Sequence, residues 1–159
     1  MGKIQIIVDN KAADGFVAEH GFALWAEADG RAVLFDTGNA FFYDPLSKRP
    51  DPIDDDNGLW LHTEKGLIIC VGCSHAGIVY TILAIIETTG ETRIQTVIGG
   101  LHLINASPER LDKTTRALNE FDLHWLVACH CTGDESFFYL ANHLNCQFIQ
   151  GYGGFSLSS

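Results

Sequence analysis

The chain has 159 residues, 47% of them hydrophobic, and carries 20 acidic against 10 basic side chains for a formal net charge of −10. That length suits one domain, residues 1–159, with enough apolar material for a core. The acidic balance argues against a nucleic-acid partner, which demands a basic face. No apolar run approaches the ~20 residues that a bilayer-spanning helix needs, and a strand-like pattern in place of a signal peptide begins at residue 3, so a cytoplasmic protein without a membrane partner is expected.

Residues 3–8 are β-branched and apolar and predict a strand. Residues 21–28 alternate loosely up to Asp29-Gly30, a hairpin signal, and residues 31–35 predict the returning strand. Residues 36–58 change character: they hold Pro45, Pro50 and Pro52, the acidic run from Asp51 to Asp56, and no sustained period, which predicts a long connection. The acidic run has no EF-hand spacing and reads as a solvated loop.

Two further strands are expected at 59–63 and 67–71 around Glu64-Lys65-Gly66. Residues 76–88 have a helical period, with Ile78, Ile82 and Ile85 on one face and Gly90 as the stop. A strand at 94–98 follows. Ser107-Pro108-Glu109 then starts a helix to about 121: a capping serine, proline in the first turn and an acid beside them. A strand at 124–129, a helix at 134–144 and a short strand at 147–150 complete the pattern. Strand-rich first third, alternating strand and helix afterwards: the order predicts an α/β protein with helices packed outside the sheet.

The five cysteines, Cys70, Cys73, Cys129, Cys131 and Cys146, are odd in number and fit a reducing compartment better than a disulfide framework. Cys70-Val71-Gly72-Cys73 has C-x-x-C spacing, but Cys70 falls inside an apolar strand pattern, and buried inert thiols are the expectation.

One arrangement recurs three times. An apolar run ends in a Gly or Cys turn followed by a histidine: His75 after residues 67–71, His102 after 94–98 and His130 after 125–129. Strands joined through helices run parallel and bring their C-terminal ends to one edge, where sites form in α/β sheets. Three imidazoles there can bind a transition metal. Asp36, closing the apolar run Val33-Leu34-Phe35, adds an acid as a metal ligand or as the acceptor of a ligand imidazole's second N–H. Cys73, Cys129 and Cys131 are alternative ligands. Strand alternation would put His130 opposite Cys129 and Cys131, which favours the histidine. His20, His62, His124 and His143 lack this context and read as surface or satisfied core residues.

Phe35-Asp36-Thr37-Gly38, Gly72-Cys73-Ser74-His75-Ala76-Gly77, Gly99-Gly100-Leu101-His102-Leu103 and His130-Cys131-Thr132-Gly133 resemble, in that order, a branch of the metallo-β-lactamase superfamily that holds metal-dependent hydrolases and dihydropterin ribofuranosylaminobenzene phosphate synthases. The resemblance implies an αββα sandwich, shortened here, with His75 and His130 as metal ligands, His102 near another ligand position and Asp36 supporting the site. The family's His-x-His-x-Asp-His loop is absent, and residues 39–57 stand as a connection in its place. The implied cofactor is a divalent transition metal, zinc first and iron or manganese otherwise. The implied activity is hydrolysis of an ester or phosphoester of a small-molecule substrate by metal-bound hydroxide, the alternative being a non-catalytic metal- or small-ligand-binding remnant. Loss of the loop segment would uncover apolar sheet surface, so a homodimer or larger homo-oligomer is expected.

Overall fold

The computed structural model describes residues 2–16, 18, 21–28, 30–36 and 58–158. Two sheets face each other. The first has the order β3-β2-β1-β9, from β1 (Gly2–Val8), β2 (Ala23–Ala28), β3 (Arg31–Asp36) and β9 (Ser156–Ser158). The second has the order β4-β5-β6-β7-β8, from β4 (Gly58–Thr63), β5 (Gly66–Cys73), β6 (Arg93–Gly100), β7 (Asp122–Cys129) and β8 (Gln147–Gln150). In the second sheet β4 is antiparallel to β5, while β5, β6, β7 and β8 run parallel. Their connections carry the helices α1 (Ile78–Thr89), α2 (Pro108–Asn119) and α3 (Asp134–His143).

The inner parallel strands β5, β6 and β7 are buried on both faces over most of their length, which explains their near-continuous apolar runs. In β5, Leu67, Ile69 and Val71 join the helix-side core, while Ile68 and Cys70 join the core between the sheets. The helix-side core also takes Ile78, Ile82 and Ile85 of α1, Leu111 and Leu118 of α2 and Leu140 of α3. The inter-sheet core takes Ile4, Ile6, Leu24 and Ala26 from the first sheet against Ile98, Val127 and Cys129 from the second.

The predicted strands and helices form, with shifted ends. α1 starts at Ile78 and not at 76, because Gly77 has φ +101 outside the helical region; Gly90 stops it in the left-handed conformation, donating its N–H to Ile86 O. α2 is capped as its sequence predicts, the Ser107 hydroxyl accepting the Arg110 N–H. The sequence gives no sign of β9, whose three residues include one apolar side chain, Leu157. It is held as a strand by pairing with Lys3, Ile4 and Gln5 of β1. Among the described residues helices cover the second sheet only, so the layers are helix, sheet, sheet. The connection expected at residues 39–57 and His20 lie outside the described residues. No helix among the described residues is long and apolar enough to cross a membrane.

Candidate metal centre

The parallel register aligns the C-terminal ends of three strands. Cys73 of β5 pairs with Gly100 of β6, and Gly100 with Cys129 of β7. The turns that follow carry His75, His102, His130 and Cys131 to that edge. Cys73, His75 and His102 form one group with donor atoms all within 4.8 Å of one another, and Cys73, His130 and Cys131 form a second on the same limit, so Cys73 belongs to both. The His75 and His102 rings meet edge to face with centroids 4.7 Å apart. The Cys73 Sγ lies 3.2 Å from His102 Nδ1 and 2.7 Å from the Cys131 Sγ.

The backbone is shaped for this convergence. His102 (φ +50) and His130 (φ +42) are the two non-glycine residues of positive φ among the described residues. Left-handed backbone costs a side-chain-bearing residue ~1–2 kcal/mol, and such conformations cluster at functional sites. Between the turns β6 must end in glycine: a Cβ on Gly100 would stand 2.8 Å from the Cys131 Sγ and 2.5 Å from Gly72 O, and one on Gly99 (φ +140) would collide with Val71 O.

Hydrogen bonds tie the three turns together. The buried Ser74 donates both its N–H and its hydroxyl to Gly100 O, at 3.1 and 3.0 Å. Leu103 and Ile104 donate N–H to Cys131 O. The Thr132 hydroxyl donates to Cys129 O and accepts the Leu101 N–H. The Cys131 thiol is held well below its ordinary range, chiefly by the Cys73 hydrogen bond; burial opposes this, and His102 and the His130 charge add to it. The His102 N–H donates to its sulfur at 3.1 Å.

The first sheet reaches the site through β1. Asp9, 2% exposed, accepts the His130 N–H at 2.7 Å and the Lys11 N–H at 3.2 Å. Burial raises its carboxyl above the usual range, against the lowering effect of those N–H groups. Asn10 Oδ1 lies 3.2 Å from His130 Nδ1. A cavity of about 250 Å³ opens beside this turn, lined by Asn10, Lys11, His130, Gly133, Asp134 and Phe137 among others. At its mouth Lys11 Nζ and Asp134 Oδ1 pair at 2.7 Å.

Of the expected ligands, His75 and His102 stand in one group and His130 in the other. Asp36 closes β3, in the other sheet, opposite Ala23, and its side chain lies outside the described residues. The alternation argument at His130 does not hold: β7 ends at Cys129, and the His130–Thr132 segment is a 3₁₀ turn, so His130 and Cys131 both come within reach of Cys73. Cys129 faces the inter-sheet core, and burial drives its pKa well up. Cys70, in the same core, is pushed up to about 12. Cys73 thus has Cys131 as its sulfur neighbour, where the C-x-x-C spacing suggested Cys70. His62, His124 and His143 are exposed, as expected. Asp9-Asn10 went unread, although an apolar strand closing on an acid was the very signal used for Asp36.

No known family profile matches the chain. A solved metal-dependent hydrolase of the β-lactamase superfamily superposes with a TM-score of 0.80, covering 100% of this chain and 99% of that one at 18% identity. The chain has the metallo-β-lactamase fold. Its sequence similarity runs to the branch expected from the motifs. It is 45% identical over 83 residues to 7,8-dihydropterin-6-methyl-4-(beta-D-ribofuranosyl)-aminobenzene-5'-phosphate synthase of Methanocaldococcus jannaschii, a match spanning 52% of this chain and 28% of that protein. It is 31% identical over 105 residues to an uncharacterized protein of the same organism, spanning 65% of this chain and 37% of the relative. The chain thus spans well under half the length of these curated relatives. The metallo-β-lactamase fold places the Cys/His cluster at one edge of its paired sheets, and mixed imidazole and thiolate donors at this spacing suit zinc and neighbouring transition metals.

Proposed function

We propose that the protein is a metal-dependent hydrolase that cleaves a small ester or phosphoester. The observation that carries this reading is the double Cys/His group built on two histidines of left-handed backbone. Cys73, His75 and His102 would hold the cation, with Cys131 and His130 at a second position that shares Cys73. With the His-x-His-x-Asp-His loop absent from the sequence, the thiols take the place of its missing donors. A divalent cation held there supplies Lewis acidity toward the scissile group and toward an attacking water.

The chain's own groups do the rest. Asn10 fixes the His130 ring through Nδ1, and Asp9 fixes its backbone, so the imidazole stands at the wall of the cavity as a proton-transfer group. Lys11 can exchange Asp134 for an anionic substrate group at the mouth. The two pockets of donors need no residue from Asp36, whose role as a support is a separate expectation. Zinc is proposed first, with iron or manganese as the other candidates.

A second reading, group transfer in place of hydrolysis, is favoured by the 45% identity to a protein named as a synthase. The deciding experiment is turnover of p-nitrophenyl phosphate, bis-p-nitrophenyl phosphate and p-nitrophenyl acetate with zinc, manganese or iron(II). Hydrolysis that disappears with chelator and with His75→Ala supports the proposal; none with any metal, in protein that has taken up metal, overturns it. We also propose self-association through the outer face of the first sheet, where Trp25 and the 59%-exposed Leu34 are paired neighbours.

A further inference from the structure

We propose that Cys73 and Cys131 are a reversible disulfide-forming pair, closing across the end of β6 when the protein meets a low-molecular-weight disulfide. The two sulfurs are 2.7 Å apart although Cys73 ends β5 and Cys131 lies in the turn after β7, 58 residues apart in sequence. Nothing stands between them, since β6 ends there in Gly100. Both turns are pinned, one by Ser74 on Gly100 O and the other by Leu103 and Ile104 on Cys131 O, so closure needs little backbone movement. Cys73 is half-buried, and Cys131 sits deeper beside it, whereas Cys70 and Cys129 are buried in the inter-sheet core and Cys146 packs against the helix-side core.

The chemistry balances by two exchanges. One cysteine sulfur attacks a sulfur of the small disulfide, forming a mixed disulfide and releasing one small thiol. The second cysteine then attacks the protein sulfur of that mixed disulfide and releases the other. The two cysteines lose two electrons and two protons, and the small disulfide leaves as two thiols. Because both sulfurs belong to the Cys/His groups, closure takes them out of the donor set and the metal with them. That consequence rests on the metal reading above; the disulfide itself does not.

The test is incubation of the intact protein, metal-free and zinc-loaded, with oxidised glutathione. Thiols are counted, and non-reduced peptides are mapped with fragmentation that separates Cys70 from Cys73. The expected result in the metal-free protein is loss of two of the five thiols, no retained glutathione and a single Cys73–Cys131 link that dithiothreitol reverses. The link should be absent in Cys73→Ser and Cys131→Ser and present in Cys146→Ser; the wild-type map alone decides the matter if a variant does not fold. A lasting glutathione adduct, a link to another cysteine, or five intact thiols overturns the proposal. In zinc-loaded protein, zinc should be freed in step with the link, and zinc retained after closure overturns the coupling. Protein that never takes up zinc sinks the metal reading, while the peptide map still judges the disulfide.

Discussion

The carboxylate of Asp9, at the end of β1, accepts the backbone N–H of His130, at the end of β7, at a distance of 2.7 Å. This hydrogen bond, with those of Asn10 to the same residue, joins the two sheets at the cluster and holds a left-handed histidine in place. Asp9→Ala leaves a part-buried N–H without this acceptor and is expected to cost ~1–3 kcal/mol. Asp9→Asn, which keeps an acceptor oxygen, should lose less and retain more metal. Urea denaturation of both variants checks this; equal losses would show that the carboxylate fills space and does not position His130.

Metal uptake separates the two groups. Cys73→Ser removes a donor common to both and should lower zinc content more than His75→Ala or His130→Ala alone. Mass-spectrometric metal analysis of the three variants beside wild type is the measurement. Zinc held as well by Cys73→Ser as by wild type would remove sulfur from the ligand set.

Zinc should also raise thermal stability, by about 2.7 kcal/mol at a free concentration 100-fold above the dissociation constant, with chelator reversing it. A melting temperature indifferent to zinc and to chelator would mean that the cluster binds no metal in the folded state.

Gly100→Ala is expected to destabilise by ~1–3 kcal/mol, since the added methyl meets both Gly72 O and the Cys131 sulfur. Gly90→Ala, in open space at φ +71, bears only the backbone cost of ~1–2 kcal/mol. The two differ most in metal content, which Gly100→Ala should reduce and Gly90→Ala should leave unchanged.

Self-association is checked by size-exclusion chromatography with light scattering. A mass of at least twice that of the chain is expected, falling toward a single chain in Leu34→Lys. Wild type running as a single chain would sink the proposal.

The parallel half of the fold was legible because its inner strands are covered on both sides and its helices on one, so each segment carries its own pattern: Leu67 to Val71 is apolar throughout, and Ile78, Ile82 and Ile85 recur at helical spacing. β9 was not legible, because its order comes from β1 and not from its three residues. At the site, His75 and His102 were readable from their strand-end turns. Cys131 was misplaced because alternation was carried past the last residue of β7, into a turn where His130 has φ +42. Asp9 closes an apolar strand just as Asp36 does, but no strand-end histidine stands near it in sequence, so its contact with His130 comes only from the packing of the two sheets.

β1 is hydrogen-bonded to β2 on one side and to β9 on the other, so the first sheet is sewn from residues near 2 and near 158. During synthesis, β1 has β2 as its only strand neighbour until residue 158 has been made. The segments from β5 to β8 and their helices are joined by local connections and can assemble earlier. The Asp9 contact with His130 needs only residues made by the time β7 and its turn are complete. A nascent chain stalled before its last strand would hold the donors and Asp9, but β1 would stand with only one of its two neighbours.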